Sequence, residues 1–295
     1  MRSVSIVVTC TDRKSMQPGP GLRVRDLPKG DLNTRLEQWN EALAVAPLTA
    51  PLEHLYQGES WAASLGVATA AAKAGFMPQL KVMSAGLGLR ASEDRAPGYA
   101  ATLSPDSEDV VGDTLAERQQ WWRGLQAAHG NDELAELSGP VLLVLSDAYA
   151  RVLQPDLAAL AAVNRQVVLF GGADDVEGVT RVPANGRLRR ALGGTMSALN
   201  ARTAAQWWAL TDREESFASS TRMRALQEWA GSVEVSVRYD RTKVPDADVR
   251  EWIRAERERD PRASRSVLHR RFRDSGYACE QKRFSNLFKD VEMCR

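Results

Sequence analysis

The 295-residue chain can form one large domain or a main domain with a small appendage, because domains commonly run to about 100–200 residues. Hydrophobic residues at 43% and charged residues at 26% match ordinary globular usage and exclude a chain too polar to bury a core. Net charge is only +1, no run approaches the ~18–20 apolar residues of a membrane span, and Met1–Ile6 lacks a signal-peptide layout, so a soluble cytoplasmic protein is expected.

Along the first two thirds, short apolar runs alternate with helical patterns. Val4–Thr9 reads as a strand, followed by a Gly/Pro-containing stretch over Gln17–Gly30 and a helical segment over Asn33–Ala44. An Ala-rich helix spans Ser60–Ala74, with Ser60 as its expected N-cap, Trp61 as a core residue and Gly75 as its end. Further strands are expected over Gln79–Ser84, Val141–Ser146 and Gln166–Phe170. The pairs Trp121-Trp122 and Trp207-Trp208 lie in helical patterns, where adjacent side chains diverge; one of each pair is expected in the core and the other at an edge. This rhythm predicts an α/β fold with a mostly parallel sheet and flanking helices over 1–212, then a connecting segment over 213–243.

Residues 244–295 read as a small all-α, helix-turn-helix-like module. Helices are predicted over Pro245–Arg259, capped near Asp246, over Arg265–Arg273 and over Glu280–Val291, with a turn at Asp274-Ser275-Gly276. Val249, Trp252, Ile253, Val267, Leu268, Phe272, Phe284, Leu287, Phe288 and Val291 are its expected core. From Arg241 to Arg295 there are 15 Lys/Arg against 10 Asp/Glu, which leaves 24 against 28 for the rest of the chain. Between Arg262 and Lys289 the eight basic residues face only Asp274 and Glu280, so counter-charges look scarce and a polyanion partner is expected.

In an open α/β sheet, ligands bind beyond the carboxyl ends of the strands. The segments there are polar: Thr9-Cys10-Thr11-Asp12-Arg13-Lys14-Ser15, Ser84-Ala85-Gly86-Leu87-Gly88-Leu89, Ser146-Asp147-Ala148-Tyr149 and Gly171-Gly172-Ala173. The glycines serve equally well as plain turn formers, and neither a full dinucleotide fingerprint nor a Walker-type Gly-Lys-Ser/Thr follows any strand. Asp12 is the leading carboxylate, either a local cap or a group that activates water. Arg13 and Lys14 are either a phosphate-holding pair or a solvated one. Tyr99 lies in an irregular stretch and could stack on a base, while Asp106 and Asp109 read as helix-start acids. Cys10, Cys279 and Cys294 are odd in number and scattered, and His54, His129 and His269 do not cluster with them, so neither a disulfide framework nor a metal site is indicated and no cofactor is expected.

The post-strand segment 9–15, Tyr56 leading a helix, Ser84–Leu89 and Tyr99-Ala100-Ala101-Thr102-Leu103 together resemble the YaaA-like proteins, a group similar in core to uracil-DNA-glycosylase-like folds, over roughly residues 3–208. That resemblance implies a DNA glycosylase that excises a bulky modified base, with glucosylated hydroxymethylcytosine in double-stranded phage DNA as the substrate and anti-phage defence as the role. In such proteins an aspartate after the first strand positions water, and Asp12 occupies the matching place. Cys10, Thr11, Tyr56, Ser84, Gly86, Gly88, Tyr99, Thr102 and Ser146 are the implied base-binding residues. Arg13 and Lys14, with Arg265, Arg270, Arg271, Lys282, Arg283 and Lys289 of the basic module, are the expected DNA contacts. The histidine loop of that group has no counterpart here, since Gly171-Gly172-Ala173-Asp174 holds no histidine. Two further readings stay open: a non-enzymatic DNA-binding stress or regulatory protein, and a base-exchanging transglycosylase.

Overall fold

The computed structural model describes residues 2–129, 133–183, 185–210, 217, 219–233, 241–261 and 263–293; Arg262, Cys294 and much of the expected connector lie outside them. The chain divides into two compact units, residues 1–235 and 236–295.

In the first unit, strands β1 (Arg2–Thr9), β2 (Phe76–Ser84), β3 (Gly88–Ala91), β4 (Val141–Leu145), β5 (Val167–Gly171) and β6 (Thr180–Val182) form one sheet in the order β3-β2-β1-β4-β5-β6. All neighbours are parallel except the β2–β3 pair. Parallel strands are covered on both faces and so carry continuous apolar runs. Accordingly all five residues of β4 and all five of β5 are buried. Helix α1 (Leu32–Val45) packs on α3 (Leu115–His129), and α3 packs on β3; α2 (Glu59–Lys73) packs on β2. Beyond β4 come α4 (Asp147–Val152) and α5 (Gln154–Val163), then α6 (Leu199–Ala209), which packs on α2, β4 and β5, and α7 (Ser220–Val233).

Four expectations change here. Gly88-Leu89, expected as loop, begins an antiparallel edge strand: a three-residue hairpin pairs Ser84 with Gly88, whose φ of +79° suits the tight return. Helix α2 starts after Gly58, while Ser60 sits inside it and donates its hydroxyl to Ser197 O at 3.1 Å. All four residues of the Trp pairs are buried, because both directions in which adjacent indoles diverge are covered. Trp121 Nε1 donates to Ala85 O at 2.9 Å and Trp122 Nε1 to Asp156 Oδ1 at 3.4 Å, whereas Trp207 and Trp208 enclose Phe217 at 5.4 and 5.7 Å between ring centroids. Finally, part of the expected connector is helix α7, whose Arg222 and Leu226 are buried; the Arg222 guanidinium lies 5.3 and 5.2 Å from the Trp207 and Trp208 rings.

In the second unit, helices α8 (Asp246–Arg259), α9 (Arg265–Asp274) and α10 (Gln281–Met293) enclose Val249, Ile253, Leu268, Phe272, Phe284, Leu287 and Val291. Trp252, Val267 and Phe288 are only partly buried against this core. Pro245 precedes the first turn of α8, so Asp246 is not the cap; its carboxylate instead accepts from Arg283 Nε at 2.7 Å. Gly276, at φ +87°, makes the turn after α9, and Tyr277–Ala278 then pairs in parallel with Thr242–Lys243. No described helix is long and apolar enough to cross a membrane.

Candidate functional site

The carboxyl ends of β1, β2 and β4 carry the expected polar segments to one edge of the sheet. Cys10 N–H still follows the sheet, donating to Met83 O at 3.0 Å. The chain then crosses to residues 54–57: Ser15 N–H donates to Leu55 O, Gln57 N–H to Arg13 O, and Ser15 Oγ to His54 O at 3.0 Å. The Thr11 hydroxyl lies 3.1 Å from Arg13 O and 3.2 Å from Gln57 O, closing the same loop. These bonds set Tyr56 beside Lys14.

Beneath that loop lies a buried hydroxyl chain. Tyr56 and Tyr99 hydroxyls are 2.7 Å apart, and Tyr99 is 2.6 Å from Ser84 Oγ. Ser84 Oγ in turn accepts from Gly86 N–H at 3.2 Å and Leu87 N–H at 3.0 Å. One face of Tyr99 rests on Gly86, where a Cβ would stand 2.6 Å from the ring, and the Lys14 ammonium lies 4.1 Å from the ring centroid. Tyr99 is thus packed rather than an open platform, which changes the stacking role expected of it. Trp39 Nε1 donates to Gly86 O at 2.9 Å, so the hairpin loop is pinned by two indoles.

Further polar groups meet nearby. The Cys10 thiol is 3.2 Å from the Tyr149 hydroxyl, and Tyr149, buried on α4, is a member that sequence reasoning missed. Its signal was Ser146: the serine opens α4, its Oγ accepting from Tyr149 N–H at 3.5 Å, and this turns the residue three places on toward the site. Thr102 is buried; its hydroxyl accepts from Ser104 N–H at 3.1 Å and also lies beside the Tyr149 phenol, which brings it into the same group as Cys10. Asn200 was also missed; its Nδ2 donates to Leu145 O at 3.0 Å, beside Gly171 at the end of β5. Asp109 does not start a helix, since α3 begins at Leu115; it binds Arg25, accepting from Nε at 2.9 Å, and Glu108 pairs with the same guanidinium. This pairing holds the Asp109 carboxyl below the ordinary aspartate range.

Asp12 is exposed and caps nothing: among the described residues neither its carboxylate nor the Arg13 guanidinium has a hydrogen-bonding or ionic partner. Lys14 is different, because its ammonium is largely withdrawn from water and donates to Thr11 O at 3.0 Å. Burial lowers the Lys14 pKa, against the opposing pull of Cys10 and Asp12. Burial raises Tyr56, Tyr99 and Tyr149, so these phenols keep their protons at neutral pH. No group of three or more His, Cys, Asp and Glu is placed to hold a metal among the described residues. A cavity of about 720 Å³ opens at the opposite, amino-terminal ends of the strands, lined by Arg2, Ser5, Phe76, Gln79, Lys81 and Gln166 among others.

In the second unit the expected basic face is divided. Arg271 pairs with Asp260 at 3.0 Å and Glu256 at 3.5 Å, Arg283 pairs with Asp246, and Arg265 donates to Ser285 Oγ at 2.8 Å. The counter-charges that looked scarce come from α8 and from Asp260 just after it, ahead of the window in which they were counted. Arg270, Lys282 and Lys289 are exposed and form no ion pair among the described residues.

Neither the family models nor the curated proteins nor the solved structures compared with the chain give a match.

Withdrawing the Lys14 charge has a readable consequence. Its lowered pKa means that the unfolded chain holds the proton over an interval in which the folded protein has released it, so stability rises with pH there. Relative to Lys14→Met, the wild type is expected to gain unfolding free energy as pH climbs toward the ordinary lysine range. Parallel denaturant-unfolding curves for the two proteins across that interval would contradict the burial of the ammonium.

Proposed function

We propose that the chain is a DNA N-glycosylase that removes a bulky modified base and leaves an abasic site. The observation that carries this reading is Asp12, an exposed carboxylate with no partner among the described residues, just beyond the central strand β1 and above a network of buried hydroxyls. Base excision needs a nucleotide flipped out of the stack into a protein site. As the C1′–N bond breaks, its electron pair leaves with the base and positive charge builds on the sugar. A fixed carboxylate stabilises that charge and takes a proton from the water whose oxygen bonds to C1′. Asp12 suits both tasks because it is exposed and forms no hydrogen bond or ion pair among the described residues, with the Lys14 ammonium near enough to feel its charge.

The resemblance to YaaA-like and uracil-DNA-glycosylase-like proteins supplies the substrate class proposed here: glucosylated hydroxymethylcytosine in duplex phage DNA, with phage defence as the role. The second unit supports a DNA partner through Arg270, Lys282 and Lys289, whose charges no neighbouring acid neutralises among the described residues. Arg271 and Arg283 contribute less to that surface, being paired with acids of their own unit.

Asp12→Asn is expected to abolish abasic-site formation in the modified duplex while DNA binding in a gel-shift assay is retained; undiminished excision would remove Asp12 from the mechanism. Replacing Lys282 and Lys289 together by Ala should lower the slope of log affinity against log salt by about 2, one for each lost phosphate contact. A changed sequence preference with an unchanged slope would mean that these residues read a groove instead.

A further inference from the structure

Counting protons along the buried hydroxyl chain leaves one without a place to go. A hydroxyl has one proton to give and two positions that accept. Both accepting positions of Ser84 Oγ are taken by Gly86 N–H and Leu87 N–H, so Ser84 must donate in its 2.6 Å bond to Tyr99. Tyr99 is in turn 2.7 Å from the Tyr56 hydroxyl. Two short bonds join three hydroxyls that carry three protons, and Ser84, which also lies near Tyr56, has no accepting position left, so one phenol proton has no acceptor within the chain of hydroxyls. A hydroxyl that accepts is the stronger donor for doing so, and the bonds reinforce one another when they all run the same way. Tyr99 therefore donates to Tyr56, and the Tyr56 proton is the terminal one.

Tyr56 is 2% exposed, so its proton has no ready exchange with bulk water to satisfy it. Lys14 stands beside it, with the ammonium 5.6 Å from the Tyr56 ring and 4.1 Å from that of Tyr99. Of the side chains against these two phenols, Trp39 and Trp61 are buried, whereas Lys14 and the neighbouring Cys10 are partly exposed. The place is thus rich in donors and poor in acceptors. It suits an oxygen that gains negative charge during a reaction.

The geometry points to Tyr56 as the hydrogen-bond donor that stabilises the departing base, with its proton aimed by the Ser84–Tyr99 chain at an oxygen of that base and the Lys14 ammonium alongside. The inference rests on the glycosylase reading and supplies the half of the reaction for which the chain carries no histidine loop. Charge balances: the electron pair of the broken C1′–N bond moves onto the base, whose oxygen accepts the Tyr56 hydrogen bond, while the proton of the attacking water goes to Asp12. High phenol pKa values keep Tyr56 and Tyr99 as donors of hydrogen bonds throughout, with no full proton transfer required of them.

The test is single-turnover excision on duplex phage DNA carrying glucosylated hydroxymethylcytosine, comparing wild type with Tyr56→Phe and Tyr99→Phe. Tyr56→Phe should lower the saturating rate by about 10²-fold, the usual effect of losing one aimed donor. Its half-saturating DNA concentration and melting temperature should stay close to those of wild type. Tyr99→Phe should fall between the two, because Tyr56 keeps its proton but loses the chain that polarises it. A Tyr56→Phe protein that excises at the wild-type rate, or that loses only DNA affinity, overturns the inference while leaving the glycosylase reading in place. Should Tyr56→Phe melt early, a Tyr99→Phe rate equal to that of wild type overturns it instead. Absence of excision by the wild type overturns the glycosylase reading and this inference with it.

Discussion

Every hydrogen-bonding position of the Ser84 hydroxyl is in use: two backbone N–H groups of the following hairpin occupy its lone pairs, and its proton goes to Tyr99. That requirement ties the last residue of β2 to the three-residue return into β3, and the return to the irregular segment around Tyr99. Gly86 has no Cβ, so the ring can lie directly on the loop backbone; a methyl group there would meet it at 2.6 Å. Two indoles, Trp39 and Trp121, satisfy the outward carbonyls of Gly86 and Ala85, so the loop leaves few buried backbone groups unanswered. Tyr56 extends the chain to the far side, and with it the loop that carries Asp12 and Lys14.

Two kinds of charge therefore sit at the carboxyl edge of β1, separated by a single residue. Lys14 points inward, over Tyr99, where desolvation weakens its hold on its proton. Asp12 and Arg13 stay in water. The alternation follows from the anchoring of the loop, since the backbone of Arg13 and Ser15 bonds to residues 55 and 57 and turns the side chain between them toward the core. A carboxylate in solvent beside a donor-rich interior is an arrangement in which the two ends of a bond being broken can be treated differently: one end gains positive charge and the other negative.

Much of the fold was legible because parallel strands buried on both faces advertise themselves as apolar runs, as Val141–Leu145 and Val167–Gly171 do. The edge strand Gly88–Ala91 was not, since its opening glycine reads as loop and an edge strand needs no such run. Both members of each Trp pair are buried because each meets its own neighbours, Trp39 and the Ala85 carbonyl for Trp121, Asp156 for Trp122, Phe170 for Trp207 and Phe76 for Trp208, a tertiary fact that helical periodicity does not contain. At the site, the structure brings Lys14, Tyr56, Ser84 and Tyr99 together; Lys14 and Ser84 stand in the polar segments after β1 and β2 that the sequence displays. What escaped was direction: Tyr99 looked open in sequence and is buried against Gly86 and Lys14, while Tyr149 hid behind the capping serine that orients it. In the basic unit the missing counter-charges lie just N-terminal to the stretch in which they were counted, at Asp246, Glu256 and Asp260.

The decisive property of this edge of the sheet is whether it breaks a glycosidic bond. The measurement that addresses it most directly is to incubate the purified protein, without added cofactor, with phage DNA carrying unmodified, hydroxymethylated or glucosylated cytosine, and to quantify abasic sites. Abasic sites in the glucosylated DNA alone are the predicted result. None in any of the three, with binding intact, would contradict the enzyme and leave a protein that holds DNA without acting on it.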